Sequence, residues 1–344
     1  MASLPRRRLL LGAGALAAGG LVGCHSGDPV TAAHTPPLDM DLLSREVPKI
    51  AARLAPGRFG VGFMNLDSGQ NWTLAGDQPF PMQSVFKAPL ASAALAEVDA
   101  GRLSLDATVT LKDMDLSPWS AIAAAWPGRT QYTMRELLTA ALQTSDNTAA
   151  DVLMAHIGGP GAVTAFLTGK RIQEIRVDRY EREIQTEMLG LSPFRPAWRT
   201  EAAFQAARAA LPPAERAKAM TAYLTDPRDT ATPRGMLHWL HELDDGELIA
   251  RPSRRLLLQL MRGAQTGAGR IKAGLPPEAT LAHKTGTGPV EGGVVSALND
   301  AGIIRLPDRR RYSLAVFISG ATLAPEACEG AIADVARIAV RAAR

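Results

Sequence analysis

The chain has 344 residues, 46% of them hydrophobic and 21% charged, which is enough to bury a substantial core in one large domain or two subdomains. A net charge of +4 spread over scattered basic residues, with no basic patch interleaved with aromatics, argues against nucleic acid as a partner. Two cysteines, Cys24 and Cys328, and six histidines without an H-x-x-x-H pair offer no metal-ligand spacing.

In chain order, Arg6-Arg7-Arg8 precedes an apolar run from Leu9 to Val22 that is too short and too rich in glycine for a stable membrane span. It reads as an export signal. The arginines followed by Leu9-Leu10 fit twin-arginine export, and Leu21-Val22-Gly23-Cys24 resembles a lipobox in which Cys24 is lipidated. Residues 1–24 are therefore expected to be the signal and 25–38 a flexible tether, leaving a periplasmic domain at 39–344 that touches a membrane only through its lipid.

Within that domain, Leu42, Leu43, Val47, Ile50, Ala51 and Leu54 recur at a helical period over Asp41–Leu54. Phe59–Leu66 and Trp72–Leu74 alternate around Asp67-Ser68-Gly69 as a hairpin. Helical patterns then dominate, at Ala88–Asp99, Met134–Leu142, Thr148–Ile157, Glu201–Ala210, Pro213–Leu224 and Pro233–His241. Strands return at Thr280–Thr285, Gly293–Arg305 and Tyr312–Ile318, and a helix over Pro325–Ala342 closes the chain, with Cys328 as a buried thiol. This order predicts an α+β fold: a sheet made from both chain ends, 39–81 and about 262–344, with a helical part inserted at about 82–261.

Three short motifs carry chemistry. Ser84 and Lys87 lie at i and i+3, so on a helix they share a face, and a serine hydroxyl needs such a neighbour to take its proton as it attacks. Downstream come Ser145-Asp146-Asn147 and then Lys284-Thr285-Gly286. Set in this order, S-x-x-K, S-D-N and K-T-G resemble the penicillin-recognising serine hydrolases.

A fourth segment narrows the resemblance to the class A β-lactamases. Arg176-Val177-Asp178-Arg179-Tyr180-Glu181-Arg182-Glu183-Ile184-Gln185 is similar to the family's Ω-loop R-x-D-R-x-E-P-E-L-N, and Asp226 to Pro233 is similar to its closing D-x-R-D-T-T-T-P. The resemblance implies an antiparallel sheet flanked by terminal helices with an inserted helical subdomain, a monomer, and hydrolysis of β-lactams through an ester on Ser84 with no metal or organic cofactor. It implies Glu181 as the deacylation base, Ser145 as a proton relay, and Asn147 as a brace for Lys87 and the substrate amide. Lys87, desolvated beside the cation Lys284, can act as acylation base. The oxyanion donors would be the N–H groups of Ser84 and Thr287. Lys284, Thr285, Gly286 and Thr287 line the substrate's path, Arg270 is similar to an arginine that holds the substrate carboxylate, and Arg179 with Asp229 closes the loop.

Three departures stand out: Gln185 for an asparagine beside the deacylating water, Arg182 for the proline after Glu181, and an Ω-loop, 176–233, roughly three dozen residues longer than the family's. A penicillin-binding peptidase or esterase, and a lipoprotein that senses β-lactams by acylation alone, remain alternatives; a base able to activate water separates a lactamase from both.

Overall fold

The computed structural model describes residues 36–343. The export signal, the lipobox with Cys24 and nearly all of the tether lie outside the described residues. Helix α1 (Met40–Leu54) opens the fold, with the Asp39 side chain accepting the Leu42 amide at 2.8 Å as its cap. Its periodic apolar positions Leu42, Leu43, Val47, Ile50 and Leu54 are all buried.

The main sheet combines β1 (Arg58–Asn65), β2 (Asn71–Leu74), β3 (Thr280–Thr287), β4 (Leu298–Arg305) and β5 (Arg311–Ser319). Its order is β2-β1-β5-β4-β3, with antiparallel neighbours throughout. The two chain ends therefore pair directly, β1 with β5 along all eight residues of β1. Between them in sequence lie α2 (Lys87–Asp99), α3 (Asn147–His156), α4 (Glu181–Glu187), α5 (Glu201–Ala209), α6 (Pro213–Thr225), α7 (Pro233–Asp245) and α8 (Arg251–Arg262), and the chain ends in α9 (Pro325–Ala342).

Period-two alternation along β1 sorts the two faces. Val61 and Phe63 pack with Leu314 and Val316 against α1 and α9, where Cys328 is a buried free thiol. Phe80, Ala315 and Phe317 belong instead to the core of the helical part. A Cβ on Gly62 would run into Leu237 and the Pro233 carbonyl, so glycine there lets α7 lie close on the sheet. Helix α2 is buried from Lys87 to Leu95 and forms the axis of the helical part.

Two expected elements divide. Met134–Leu142 is helical only to Thr139 and then widens into a π turn over Ala140–Thr144. Gly293–Arg305 splits because Gly292 and Gly293, both at positive φ, turn Val290–Glu291 back on Val294–Val295, and β4 starts only at Leu298.

Candidate active site

A single tight turn, Gln83–Phe86, leads into α2 and sets Ser84 one turn ahead of Lys87. The turn is strained. Gln83 sits at φ +47°, tied through Nε2 to the Tyr223 hydroxyl and to Met188 Sδ. Ser84 Oγ donates to Glu181 Oε1 at 3.0 Å, and the same oxygen is 3.0 Å from Lys87 Nζ. Lys87 and Glu181 have no side-chain exposure. The ammonium also reaches Asn147 Oδ1 at 2.6 Å, the Ser145 carbonyl at 2.7 Å and Ser145 Oγ at 3.4 Å.

The π turn delivers Ser145 in the left-handed region, φ +62°. Its hydroxyl lies between two lysines, since Lys284 Nζ donates to it at 2.9 Å and Lys87 approaches from the other side. Asp146 instead caps α3, accepting from the Ala149 amide at 2.9 Å, Ser120 Oγ at 2.8 Å and the Ile122 amide at 3.1 Å. Strand β3 is an edge strand of the main sheet, which leaves its free side to form a wall of the cleft. A side chain at Gly286 would collide with the Met82 carbonyl, so only glycine allows this strand so near the Ser84 turn.

The Ω-loop is pinned at its base. Arg179 Nε meets Asp229 Oδ2 at 2.6 Å, while Asp229 Oδ1 accepts the amides of Asp178 and Arg179 at 2.7 and 3.0 Å. Glu181 is then placed by Asp151, a residue outside every motif. The Glu181 amide donates to Asp151 Oδ1 at 2.6 Å and the Arg182 amide to Oδ2 at 3.2 Å, a bond that a proline at 182 could not make. Burial, working against Arg182 and Ser117, pushes the Asp151 carboxyl up to about 6. Its one sequence signal is an acid four residues after Asn147, inside a stretch that otherwise reads as a buried helix. The Glu181–Arg182 peptide is trans, the cis bonds among the described residues all preceding prolines.

Gln185 uses its additional methylene to span one helical turn, donating from Nε2 to Glu181 Oε2 at 3.0 Å. Arg270 stands behind the end of β3, buried, and donates to Thr287 Oγ1 at 2.7 Å and to the carbonyls of Gly286 at 3.1 Å and Asn299 at 2.8 Å. Its Nε pairs with Glu329 at 3.0 Å. Ser84, Ser145, Asn147, Gln185, Thr285 and Thr287 all line one cavity of about 430 Å³. Burial alone would raise the Glu181 carboxyl, but Lys87, Gln185 and Ser84 outweigh it and hold it below its ordinary value. Lys284 is held well below the usual lysine range, by burial first and then by the charge of Lys87.

A nucleophile, two buried lysines and a carboxylate on one side of a small cavity form the constellation that acyl transfer with water as final acceptor requires. The sequence profile described as the Beta-lactamase enzyme family matches residues 42–343, nearly the whole described domain. The chain belongs to the class A serine β-lactamases. Among relatives of this class A enzyme, the β-lactamase VEB-1 of Pseudomonas aeruginosa is 29% identical over 82% of this chain and 84% of its own. The carbapenem-hydrolyzing β-lactamase KPC of Klebsiella oxytoca is 30% identical, over 83% of each. In three dimensions, a β-lactamase from Chitinophaga pinensis superposes with a TM-score of 0.73 at 30% identity, covering 88% of this chain and 99% of its own. An ancestral class A β-lactamase gives 0.71 at 33% identity, covering 87% and 99%. The β-lactamase fold and the hydrolysis of the cyclic β-lactam amide follow.

Proposed function

We propose that Ser84 attacks the β-lactam carbonyl and that Glu181 drives hydrolysis of the resulting ester. The observation that carries this reading is the Glu181 carboxylate oxygen, at 3.0 Å from both Ser84 Oγ and Lys87 Nζ. Lys87, in its neutral-amine form, takes the serine proton in acylation and returns to that form as the proton passes on through Ser145. Ser145, in contact with both lysines, passes a proton to the departing ring nitrogen. The N–H groups of Ser84 and Thr287 stabilise the oxyanion, the former helped by the dipole of the helix that follows it. In deacylation Glu181, braced by Gln185, takes a proton from water as that water attacks the ester.

The substrate carboxylate rests against Lys284, Thr285 and Thr287, with Arg270 supplying charge from behind. Because the Thr287 hydroxyl oxygen accepts from Arg270, its own proton is available for the carboxylate. Asn147 divides its amide between Lys87 and the substrate's side-chain amide.

The pH dependence tests both ends of the site. Glu181 must be ionised to act, so kcat climbs as pH rises through its lowered value, and the acid limb lies below about 4.5. Lys284 must be protonated to hold an anion, so kcat/KM falls on the alkaline side at a pH below 10.5. Profiles from about pH 3 to about 11 read both limbs. In the same assay Arg270→Ala is expected to raise KM roughly tenfold, the scale of one hydrogen bond to a charged group. An acid limb above about 5 removes Glu181 from the role of base, and an unchanged KM removes Arg270 from the site.

Export and anchoring complete the reading: a monomeric periplasmic enzyme, sent out by its arginine signal and held at a membrane through lipid on Cys24. Membrane association that survives Cys24→Ala counts against the anchor.

A further inference from the structure

The long insertion does not stand clear of the cleft. From α5, the fully buried Phe204 packs edge-on against Trp119, ring centroids 4.7 Å apart, and Trp119 itself lines the cavity. Gln205 and Arg208, on the same helix, line the cavity too. Arg208 reaches the opposite wall, its Nη2 donating to Glu291 Oε2 at 2.7 Å and to the Val290 carbonyl at 2.8 Å. From α6, Arg216 donates to the other oxygen of Glu291 at 3.1 Å and is held in turn by the Leu211 carbonyl at 2.7 Å. The insertion therefore bridges from the Ω-loop to the hairpin that follows β3.

Position along β3 says which end of a substrate meets this bridge. The cavity follows the strand from Thr285, whose hydroxyl bonds Thr266 at 2.6 Å, past Thr287 and on to Val290. The substrate carboxylate belongs at the Thr285 and Lys284 end, so the acyl side chain extends towards Val290 and Arg208. Two guanidinium groups share one carboxylate there, leaving a net charge of +1 on side chains only 23%, 19% and 7% exposed for Arg208, Arg216 and Glu291. Arg208 Nη1 has only a long bond, 3.4 Å to Gln205 Oε1, among the described residues. That corner has an uncompensated cation and a donor with capacity to spare.

We propose that Arg208 is a specificity-determining residue that recognises an anionic acyl side chain, a second carboxylate on the β-lactam, with Arg216 setting its charge by occupying Glu291. The inference rests on β-lactam hydrolysis at Ser84 and adds a substrate class to it. Glu291 alone would neutralise Arg208; Arg216 restores the surplus without lining the cavity.

The test compares benzylpenicillin with its α-carboxy derivative, which differs by that one carboxylate. Arg208→Ala is expected to lower the ratio of kcat/KM values, carboxylated over plain, by about tenfold, through KM for the carboxylated substrate. Arg208→Lys should recover part of the loss. Arg216→Ala should lower the ratio by about threefold although it touches no substrate, and added salt should narrow the wild-type preference. Turnover of benzylpenicillin reports in each variant that the site is assembled. A ratio unchanged in Arg208→Ala overturns the proposal, as does a ratio that falls in Arg208→Ala and is untouched by both lysine and salt. Failure of the wild-type enzyme to turn over either penicillin strikes instead at hydrolysis on Ser84.

Discussion

Glu181→Ala is expected to acylate and then stall. Intact mass after mixing with benzylpenicillin should show one persistent adduct per chain, with steady-state turnover down roughly a thousandfold, within the span usual for loss of a general base. Ser84→Ala should take no label at all. The separation of the two steps follows from the contacts of Lys87. Without the Glu181 carboxylate, its amine still has Asn147 Oδ1 at 2.6 Å and the Ser145 carbonyl at 2.7 Å to hold it beside Ser84. The acylating half of the site stays assembled, while the ester loses the carboxylate that contacts the nucleophile. Wild-type turnover in Glu181→Ala would reject it as deacylation base. Loss of labelling would assign both proton transfers to Glu181 and take acylation from Lys87.

Most of this site is legible in the chain because its chemistry is carried by local motifs. S-x-x-K needs only one helical turn to bring Ser84 and Lys87 together, and Glu181 with Gln185 needs one more. What the motifs lack is the support that sets distances. Asp151 holds two amides of the Ω-loop from thirty residues away, on a helix whose pattern reads simply as core. The π turn before Ser145 also carries no composition signal, since Ala140 to Leu142 is ordinary helical sequence; the turn is imposed by where Ser145 has to meet Lys87 and Lys284. In the fold, the strands and terminal helices follow period and turn residues, and the errors fall where a pair of glycines or a strained turn overrides the period. The clasp from the insertion to Glu291 joins residues 75 and 83 apart. Arginines on amphipathic helices look solvated until the partner carboxylate is known.

Breaking the Ω-loop latch should damage both stability and the second chemical step. Arg179 and Asp229, 50 residues apart in sequence, are 5% and 4% exposed at their side chains. Lengthening a flexible loop adds only about 0.6 kcal/mol of closure cost per doubling, so the inserted helices can be accommodated while the ends keep their geometry. The latch has to hold against a larger strain. Arg179 also reaches Glu187 at 2.7 Å and Asp226 at 3.2 Å, and Asp229 gathers two backbone amides besides the guanidinium. The backbone of Asp229 sits at φ +55°, a cost that only such a network sustains. Arg179→Ala strands Asp229 as a buried charge and is expected to lose roughly 3 to 5 kcal/mol in denaturant unfolding, whereas Asp229→Ala leaves Arg179 paired with Glu187 and Asp226 and is expected to lose less. The catalytic effect follows from chain continuity. Arg179 lies two residues before Glu181, and Met82, two residues before Ser84, donates its amide to the Asp229 carbonyl at 3.0 Å. One latch thereby aligns base and nucleophile, and loosening it should slow deacylation more than acylation, since Ser84 keeps its place at the head of buried α2 while Glu181 does not. Single-turnover kinetics separate the two rates. Equal slowing of both would show that the latch supports the fold alone, and a latch variant with wild-type stability and wild-type deacylation would remove Arg179 and Asp229 from the placement of Glu181.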